Sequence, residues 1–300
     1  SLLYATLEEC AGSGGTIGAP MARETHLRMP VQAFDALRHA LDFADASAVM
    51  RNVRMVKSER EIDKIRHVCT LVSNAFDRAP KLFAEGQSDI EAFRAFKLEC
   101  LRQGVDDVSY LVGGAGPGGY GDIISPPAGR ALGRGDVLIL DTGCVYDGYF
   151  SDFDRNFAIG AADDAARRSY DTVYRATEAG LAAARPGATS ADLFGAMQTV
   201  LEAGGALGNA VGRLGHGLGS ELTEPPSHAP FDDTVLSPGM VITLEPGMEF
   251  APGRNMVHEE NLVIRDDGAE LLSRRAAAEW PSFRMPLLSA HPPCPCCSSF

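Results

Sequence analysis

Acidic residues stand beside or within the apolar segments of this sequence, where a buried strand would carry them into the interior of a fold. The run VLIL ends on Asp141, the run VITL ends on Glu245, and MVHEENLVI contains Glu259 and Glu260. A carboxylate in a buried strand is costly unless it is paired or bound to a metal ion. The sequence therefore predicts a fold in which these strands bring their carboxylates to a shared site.

The segment DVLILDTGCVYDGYFSDFDRNFAIG, which begins at Asp136, has the pattern of a β-hairpin. It contains a buried strand, a turn with glycine and a second extended run rich in aromatic residues. We expect Asp141 at the end of the first strand and Asp152, eleven residues later, on the second strand. Either Asp alone would be an ordinary turn cap. As a pair they are predicted to face one another.

His216 lies in RLGHGLGSE, where flanking glycines leave the backbone free to approach a ligand. A single histidine proves little. Four carboxylates and one imidazole, however, make a site of hard donors suited to two divalent ions bridged by carboxylates. Mn²⁺ fits this donor set better than Zn²⁺, with Fe and Co as further candidates. A water that bridges two such ions has a lowered pKa and would supply a hydroxide nucleophile.

Two amphipathic helices are predicted ahead of the hairpin. Ser58 and Glu61 form a capping box at the start of the first helix, and Ser88 and Glu91 form another at the start of the second. The second helix is expected to end at Gly104, which accommodates a left-handed cap. Helical patterns return over Ala161 to Ala184 and Ala191 to Ala203, and strands and turns follow. Helices followed by strands, repeated twice, predict an α+β domain of two similar halves.

The sequence resembles the M24 metallopeptidase family, which includes creatinase, Xaa-Pro aminopeptidase, prolidase and methionine aminopeptidase. The family's five ligand motifs are matched, in order, at Asp141, Asp152, His216, Glu245 and Glu259. The resemblance extends from about Val56 to Leu272 and includes VKSEREI and LSPGMVITLEPG. It implies a pita-bread fold with halves related by a pseudo-twofold axis. The expected organisation is a catalytic domain over residues 57–283, preceded over residues 1–56 by the remnant of a truncated N-terminal creatinase-like domain. A disordered tail is expected over residues 284–300.

The resemblance also implies a role for each ligand. The family's last ligand lies nine residues before the glycine of the next turn, which is Gly268 here, so Glu259 is selected over Glu260. Asp152 and Glu259 are expected to bridge the two ions, and Asp141 to complete the shell of one ion. The shell of the other is expected to be completed by the two residues predicted to be catalytic, His216 and Glu245. Glu245 is also the expected acid/base group.

Two histidines of the family's peptidases are missing from this sequence. They normally stand about seventeen residues before the first Asp and seven residues after the metal-binding His, where this chain has Ile124 or Ser125 and Thr223. In the family they contact the substrate carbonyl and stabilise the tetrahedral intermediate. Other polar residues are predicted to line a pocket for a small polar or cationic substrate, or else to be surface residues of loops. They are Tyr120, Asp122, Thr223, Glu224 and His228.

The predicted function is hydrolysis of C–N bonds in peptides or amides by a metal-dependent enzyme similar to Xaa-Pro peptidases. One alternative is a small-molecule enzyme of the same superfamily, such as ectoine hydrolase, a creatinase-like amidinohydrolase or a dimethylsulfoniopropionate lyase. The absence of the two histidines favours that alternative. A second alternative is a non-catalytic binding module, against which the presence of all five ligands argues.

Composition limits the partners. The formal net charge of −13 disfavours nucleic acid and anionic membranes. No apolar run approaches the roughly 18 residues of a membrane span. Seven cysteines, four of them scattered without the spacing of a zinc site, suit a reducing cytoplasm. A small peptide or polar metabolite is the expected ligand, and relatives with an N-terminal domain suggest a homodimer.

Overall fold

The computed structural model describes residues 1–12, 14–22, 25–208 and 212–280. The chain divides into one unit over Ser1–Met55 and a second unit that begins at Val56. The predicted tail over residues 284–300 lies outside the described residues. None of the helices that the structure describes combines the length and the apolar character needed to cross a membrane.

The first unit contains three short helices and one small sheet. In chain order the elements are α1 (Leu2–Ala11), β1 (Thr16–Ala19), α2 (Val31–Ala40), β2 (Asp42–Asp45) and α3 (Ser47–Met55). The two strands are parallel and are connected through α2, as parallel neighbours require a crossover. The origin of this unit as a remnant of a larger domain stays a prediction.

The second unit begins with the two predicted helices, α4 (Glu59–Arg78) and α5 (Asp89–Gln103). Capping boxes at Ser58 and Ser88 start them, and Gly104 ends α5 in the left-handed region with a φ of 106°. These predictions are confirmed. The buried face of α4 packs with α5 in one hydrophobic cluster that also contains Leu138, Leu140 and Phe153 of the antiparallel sheet that follows in the chain.

The predicted hairpin is confirmed as the centre of an antiparallel sheet. Its strands are β3 (Asp107–Val112), β4 (Ala115–Pro117), β5 (Asp136–Tyr146), β6 (Tyr149–Phe150) and β7 (Phe153–Ala158). The strand β5 pairs with each of the other four. The turn at Asp147 and Gly148 has positive φ values at both residues, 45° and 78°, which suits the twist of a hairpin. Asp141 lies within β5 and not at its end, because β5 continues along β3 to Tyr146.

Helices and strands then repeat in the same order. The helices are α6 (Asp164–Ala183) and α7 (Ser190–Ala203). The strands are β8 (His216–Gly217), β9 (Glu224–Ser227), β10 (Val241–Leu244), β11 (Gly247–Ala251), β12 (Arg254–Val257), β13 (Glu260–Arg265) and β14 (Gly268–Leu271). Five of them form a sheet in the order β14-β13-β10-β8-β9, and β11 pairs with β12. The α+β class, with two helices followed by a sheet in each half, is confirmed.

One sequence expectation about this sheet is wrong. Glu259 and Glu260 were expected within a single strand, but β12 ends at Val257 and β13 begins at Glu260. The chain leaves one sheet and enters another at His258 and Glu259, because β12 pairs with β11 whereas β13 pairs with β10. Glu259 therefore lies at a junction between two sheets.

Candidate metal centre

Asp152 lies in the gap between β6 and β7, and its backbone is fixed from the other half of the unit. The Asp152 N–H donates to Asn261 Oδ1 at 2.9 Å, and Asn261 Nδ2 donates to the carbonyl of Asp152. Asn261 is fully buried on β13. The amide therefore connects the two halves at the position where Asp152 presents its carboxylate.

His216 is buried and has its ring orientation set by the backbone. Its Nδ1 lies 2.9 Å from the carbonyl oxygen of Gly217. Because a carbonyl only accepts, Nδ1 carries the proton and Nε2 has a free lone pair. Nε2 lies 3.4 Å from Asp152 Oδ2. The His216 N–H donates to Thr243 Oγ1 at 3.2 Å, which holds β8 against β10.

The two neighbouring glutamates have opposite environments. Both oxygens of Glu260 have partners: Arg155 Nη2 donates to one at 3.0 Å, and the N–H of Ala276 donates to the other at 3.0 Å. Glu259 is buried, and its Oε1 has no hydrogen-bond partner among the described residues. Arg155 also donates to the carbonyl oxygen of Glu259 at 3.0 Å and so positions the backbone at the sheet junction.

Three of the five predicted ligands come together in the structure. Ligand atoms of Asp152, His216 and Glu259 all lie within 4.8 Å of one another. Glu245 follows β10, and its N–H donates to the carbonyl of Leu214 at 3.0 Å, so it lies near His216. Asp141 lies on β5, where the charges of Asp152 and Glu245 act on its carboxylate. Assignment of these five residues as metal ligands stays a prediction.

The carboxylates raise one another's pKa. Burial, together with the charges of Asp152 and Glu245, raises the pKa of Asp141 well above its ordinary value. Burial and the charges of Asp152 and Glu245 do the same for Glu259. Burial raises the pKa of Glu245 to about 6, although the neighbouring His216 acts in the opposite direction. Cations would relieve this repulsion and the cost of burial.

The unpaired oxygens of this cluster fit a divalent cation. Asp141 Oδ1, Asp152 Oδ1 and Glu259 Oε1 are buried and have no hydrogen-bond partner among the described residues. Buried polar atoms without partners are rare, and a missing ion is one of the accepted reasons. The set of carboxylate oxygens with one imidazole nitrogen suits hard or borderline divalent metals. The residues present therefore fit a metal centre.

Tyr110 was not predicted from the sequence. Val112 pairs with Asp141 across β3 and β5, and Tyr110 lies two residues before it. The Tyr110 hydroxyl makes a hydrogen bond that favours the charged form of Asp141. Burial, with the charges of Asp141 and Asp152, raises the pKa of Tyr110 above its usual range. Only the register of β3 against β5 identifies this residue, and the register cannot be derived from the local pattern.

The predicted pocket residues occupy very different positions. Tyr120 is fully buried; its hydroxyl donates to Asn156 Oδ1 at 2.9 Å and accepts from the Val257 N–H at 2.8 Å. Asp122 is exposed and accepts from the N–H of Ile124 at 3.0 Å. In these contacts Tyr120 links two strands and Asp122 stabilises its own loop.

The remaining three candidates lie on or beside β9. Thr223 is exposed. Glu224 is buried, with Lys57 Nζ 2.9 Å from its Oε2. His228 is buried, and its Nδ1 lies 3.3 Å from Ser190 Oγ. Burial and the nearby His216 lower the pKa of His228 to about 3, so it is neutral. A role of all five residues in binding substrate stays a prediction.

Comparisons with known proteins agree with the motifs. The sequence profile of metallopeptidase family M24 matches residues 63–266. A probable dipeptidase PepE from Mycobacterium bovis is 34% identical over 256 residues, which cover 84% of this chain and 68% of the relative. An Xaa-Pro dipeptidase from Pyrococcus furiosus is 29% identical over 254 residues, which cover 81% of this chain and 70% of the relative.

A solved structure supports the fold. The crystal structure of dipeptidase PepE from Mycobacterium ulcerans is similar with a TM-score of 0.82 and 27% sequence identity. The similarity covers 92% of this chain and 74% of that one. The predicted pita-bread fold is confirmed by this likeness. All five predicted ligands fall within the region that the family profile matches.

Proposed function

The chain belongs to metallopeptidase family M24 and is a metal-dependent peptidase of the Xaa-Pro-peptidase type, and we propose that it is a dipeptidase with a dinuclear metal centre. The observation that carries the proposal is the meeting of Asp152, His216 and Glu259 within 4.8 Å, with unpaired oxygens on both carboxylates. The five residues proposed to hold the ions are Asp141, Asp152, His216, Glu245 and Glu259.

Two divalent ions bound here would supply Lewis acidity and a water of lowered pKa for attack on the peptide carbonyl. The chain's own residues orient this centre. Asn261 fixes the backbone of Asp152, and the carbonyl of Gly217 holds the His216 ring with Nε2 turned toward Asp152. Interactions of this kind keep ligands in place and commonly change metal affinity by about 10- to 100-fold.

Glu245 is proposed to be the acid/base group that accepts a proton and returns it during hydrolysis. It is partly buried, whereas Glu259 is fully enclosed. Glu245 is therefore the better placed of the two to take a proton during attack and deliver it to the leaving amine nitrogen.

A small peptide is the proposed substrate, because two relatives are named dipeptidase and Xaa-Pro dipeptidase. These names do not favour the small-molecule alternative. At the positions of the family's two histidines the chain has Ile124 or Ser125, and Thr223. No imidazole at either position is therefore proposed to contact the substrate carbonyl. Manganese as the metal, a cytoplasmic location and a homodimer complete the proposal.

Hydrolysis of a small panel of compounds tests the substrate class. We expect the Mn²⁺-loaded chain to cleave alanyl-proline or alanyl-alanine, to spare N-acetyl-alanyl-proline, and to leave ectoine intact. Glu245→Gln should lower kcat by at least about 100-fold, the usual effect of removing an acid/base group. Glu249→Gln, on β11 outside the carboxylate cluster, is the matched control and should keep its rate. Cleavage of ectoine without cleavage of either dipeptide would overturn the dipeptidase assignment.

A further inference from the structure

Asp154 is a buried acid that has no role in the proposed centre. It is 1% exposed on β7, and its Oδ1 has no hydrogen-bond partner among the residues that the structure describes. A backbone hydrogen bond from Glu259 reaches its carboxylate. A buried carboxylate oxygen without a partner is costly, so we expect Asp154 Oδ1 to bind a ligand.

Strand geometry directs Asp154 toward the metal centre. Asp154 pairs with Asp141 across β7 and β5. Side chains of directly opposed residues lie on the same face of the sheet, with Cβ atoms about 4.5–5.5 Å apart. Asp152 is two residues before Asp154, and residues two apart along an extended chain point the same way. Two carboxylates directly opposite one another are destabilising unless a cation lies between them.

No hydrogen bond from a described cation reaches this oxygen, although the charge of Arg155 opposes the rise that burial causes in the pKa of Asp154. Arg155 is adjacent in sequence, but it points to the opposite face, where its guanidinium lies over the ring of Phe153 and bonds Glu260. Asn156 is the next residue on the same face as Asp154, and its amide is used by Tyr120 and the carbonyl of Val257. The free oxygen of Asp154 is therefore left for a group that is not part of the chain.

A metal ion would be that group, because the proposed centre offers it fewer ligands than it prefers. In the proposed centre Asp141, Asp152 and Glu259 would hold the ion on the side of Asp141. Hard ions such as Mn²⁺ prefer six oxygen donors in an octahedral arrangement. We propose that Asp154 is a sixth metal-binding residue, which adds a carboxylate to the ion on the side of Asp141. The inference rests on the proposed dinuclear centre.

Direct Mn²⁺ binding to the full chain tests the inference without any peptide substrate. The protein is freed of metal with a chelator and titrated with Mn²⁺, and free Mn²⁺ is followed by electron paramagnetic resonance. We expect Asp154→Asn, which keeps the shape and removes the charge, to weaken one Mn²⁺-binding step by at least about tenfold. Asp154→Ser provides a second variant with a smaller side chain if the Asn variant does not fold.

Asp136→Asn is the matched control. Asp136 is a buried carboxylate on β5, but Arg130 and the N–H of Gly133 bind its oxygens. Its loss should lower stability and leave Mn²⁺ affinity unchanged. Equal affinity in the wild-type and Asp154→Asn chains would overturn the inference and leave the proposed function intact. No Mn²⁺ binding by the wild-type chain would overturn both.

A third outcome separates a metal ligand from a substrate contact. If Asp154→Asn binds Mn²⁺ as tightly as the wild type, but its KM rises for dipeptides with a free amino group, the carboxylate contacts the substrate ammonium. That result would overturn the assignment as a metal ligand. An increase in Mn²⁺ affinity in Asp154→Asn would overturn it as well, because it would show that the charge opposes binding.

Discussion

The neutral side chain of Asn261 fixes the backbone of the charged residue Asp152. Asn261 uses both its carbonyl oxygen and its NH₂ group on the backbone of Asp152, and its Oδ1 also lies 3.3 Å from Cys69 Sγ. The contact joins residues 109 apart in sequence and crosses between the halves. The geometry of the centre thus depends on residues that bind no metal.

Replacing Asn261 by Ala should weaken both stability and metal binding. The buried N–H of Asp152 would lose its acceptor, which costs about 1–3 kcal/mol. Mn²⁺ affinity should fall by about 10- to 100-fold, because the ligand loses its support. Urea unfolding and Mn²⁺ titration measure the two effects.

Asn255→Ala is the control for Asn261. Asn255 Nδ2 bonds the backbone carbonyls of Tyr120 and Gly121, away from the centre. The Asn255→Ala variant should be less stable than the wild type and should keep its Mn²⁺ affinity. If the two variants changed Mn²⁺ affinity equally, Asn261 would act only through general stability.

At the scale of elements, the start of α4 shows how a local motif serves a distant part of the fold. Glu61 Oε2 accepts from the N–H and the hydroxyl of Ser58, each at 2.7 Å. Its Oε1 accepts from the hydroxyl of Tyr149 on β6 at 2.8 Å. One carboxylate therefore caps the helix and connects it to the hairpin that precedes Asp152.

Glu61→Gln should make stability less dependent on pH in the acid range. Burial raises the pKa of Glu61, but hydrogen bonds from Ser58 outweigh it, and the net pKa lies below the ordinary 4.5. A lowered pKa stabilises the fold above about pH 4.5, and this contribution is lost as the pH falls through the folded value. The wild type should be more stable than the variant at pH 7, and the difference should shrink below pH 4.5. A constant difference between pH 7 and pH 3 in urea unfolding would contradict this.

A buried ion pair connects the entry of α4 to the hairpin of His216. Lys57 Nζ lies 2.9 Å from Glu224 Oε2, with side chains 2% and 4% exposed. Glu224 pairs with Gly217, next to His216, and its other oxygen accepts from the N–H of Glu221. The pair holds the β8–β9 hairpin from a residue 167 positions earlier.

Lys57→Met should cost about 3–5 kcal/mol, because it removes the buried cation that lies 2.9 Å from Glu224. Adding Glu224→Gln to that variant should recover part of the loss. Lys64→Met is the control: Lys64 pairs with Asp147 at 2.8 Å, but the side chains are 35% and 65% exposed. An exposed pair contributes about 0–1 kcal/mol. Similar losses in the two Lys variants, measured by urea unfolding, would contradict the account.

At the scale of the whole molecule, the sequence predicted those features that depend on local chemistry. The capping boxes at Ser58 and Ser88 indicate helices from sequence alone, because each motif is contained within four residues. The hairpin and its turn follow from alternation and glycine. The five acidic and histidine motifs identified the family without any knowledge of strand order.

Features that depend on register could not be predicted. Tyr110 reaches Asp141 only because β3 aligns with β5 in one register, and a shift by one residue would turn it to the other face. The break at His258 and Glu259 arises because neighbouring strands join different sheets. The ion pair of Lys57 and Glu224 is a tertiary contact between residues 167 positions apart, which no local sequence pattern reveals.

The metal content of the purified full chain, measured together with its dipeptidase rate, tests the central claim most directly. We expect about two divalent ions per chain after loading with Mn²⁺, loss of activity on chelation and its return on adding Mn²⁺. Asp152→Asn, which removes a carboxylate proposed to be shared by both ions, should lose metal and activity together. A metal-free chain that hydrolyses dipeptides at the same rate, or an Asp152→Asn variant that keeps both ions, would contradict the dinuclear centre.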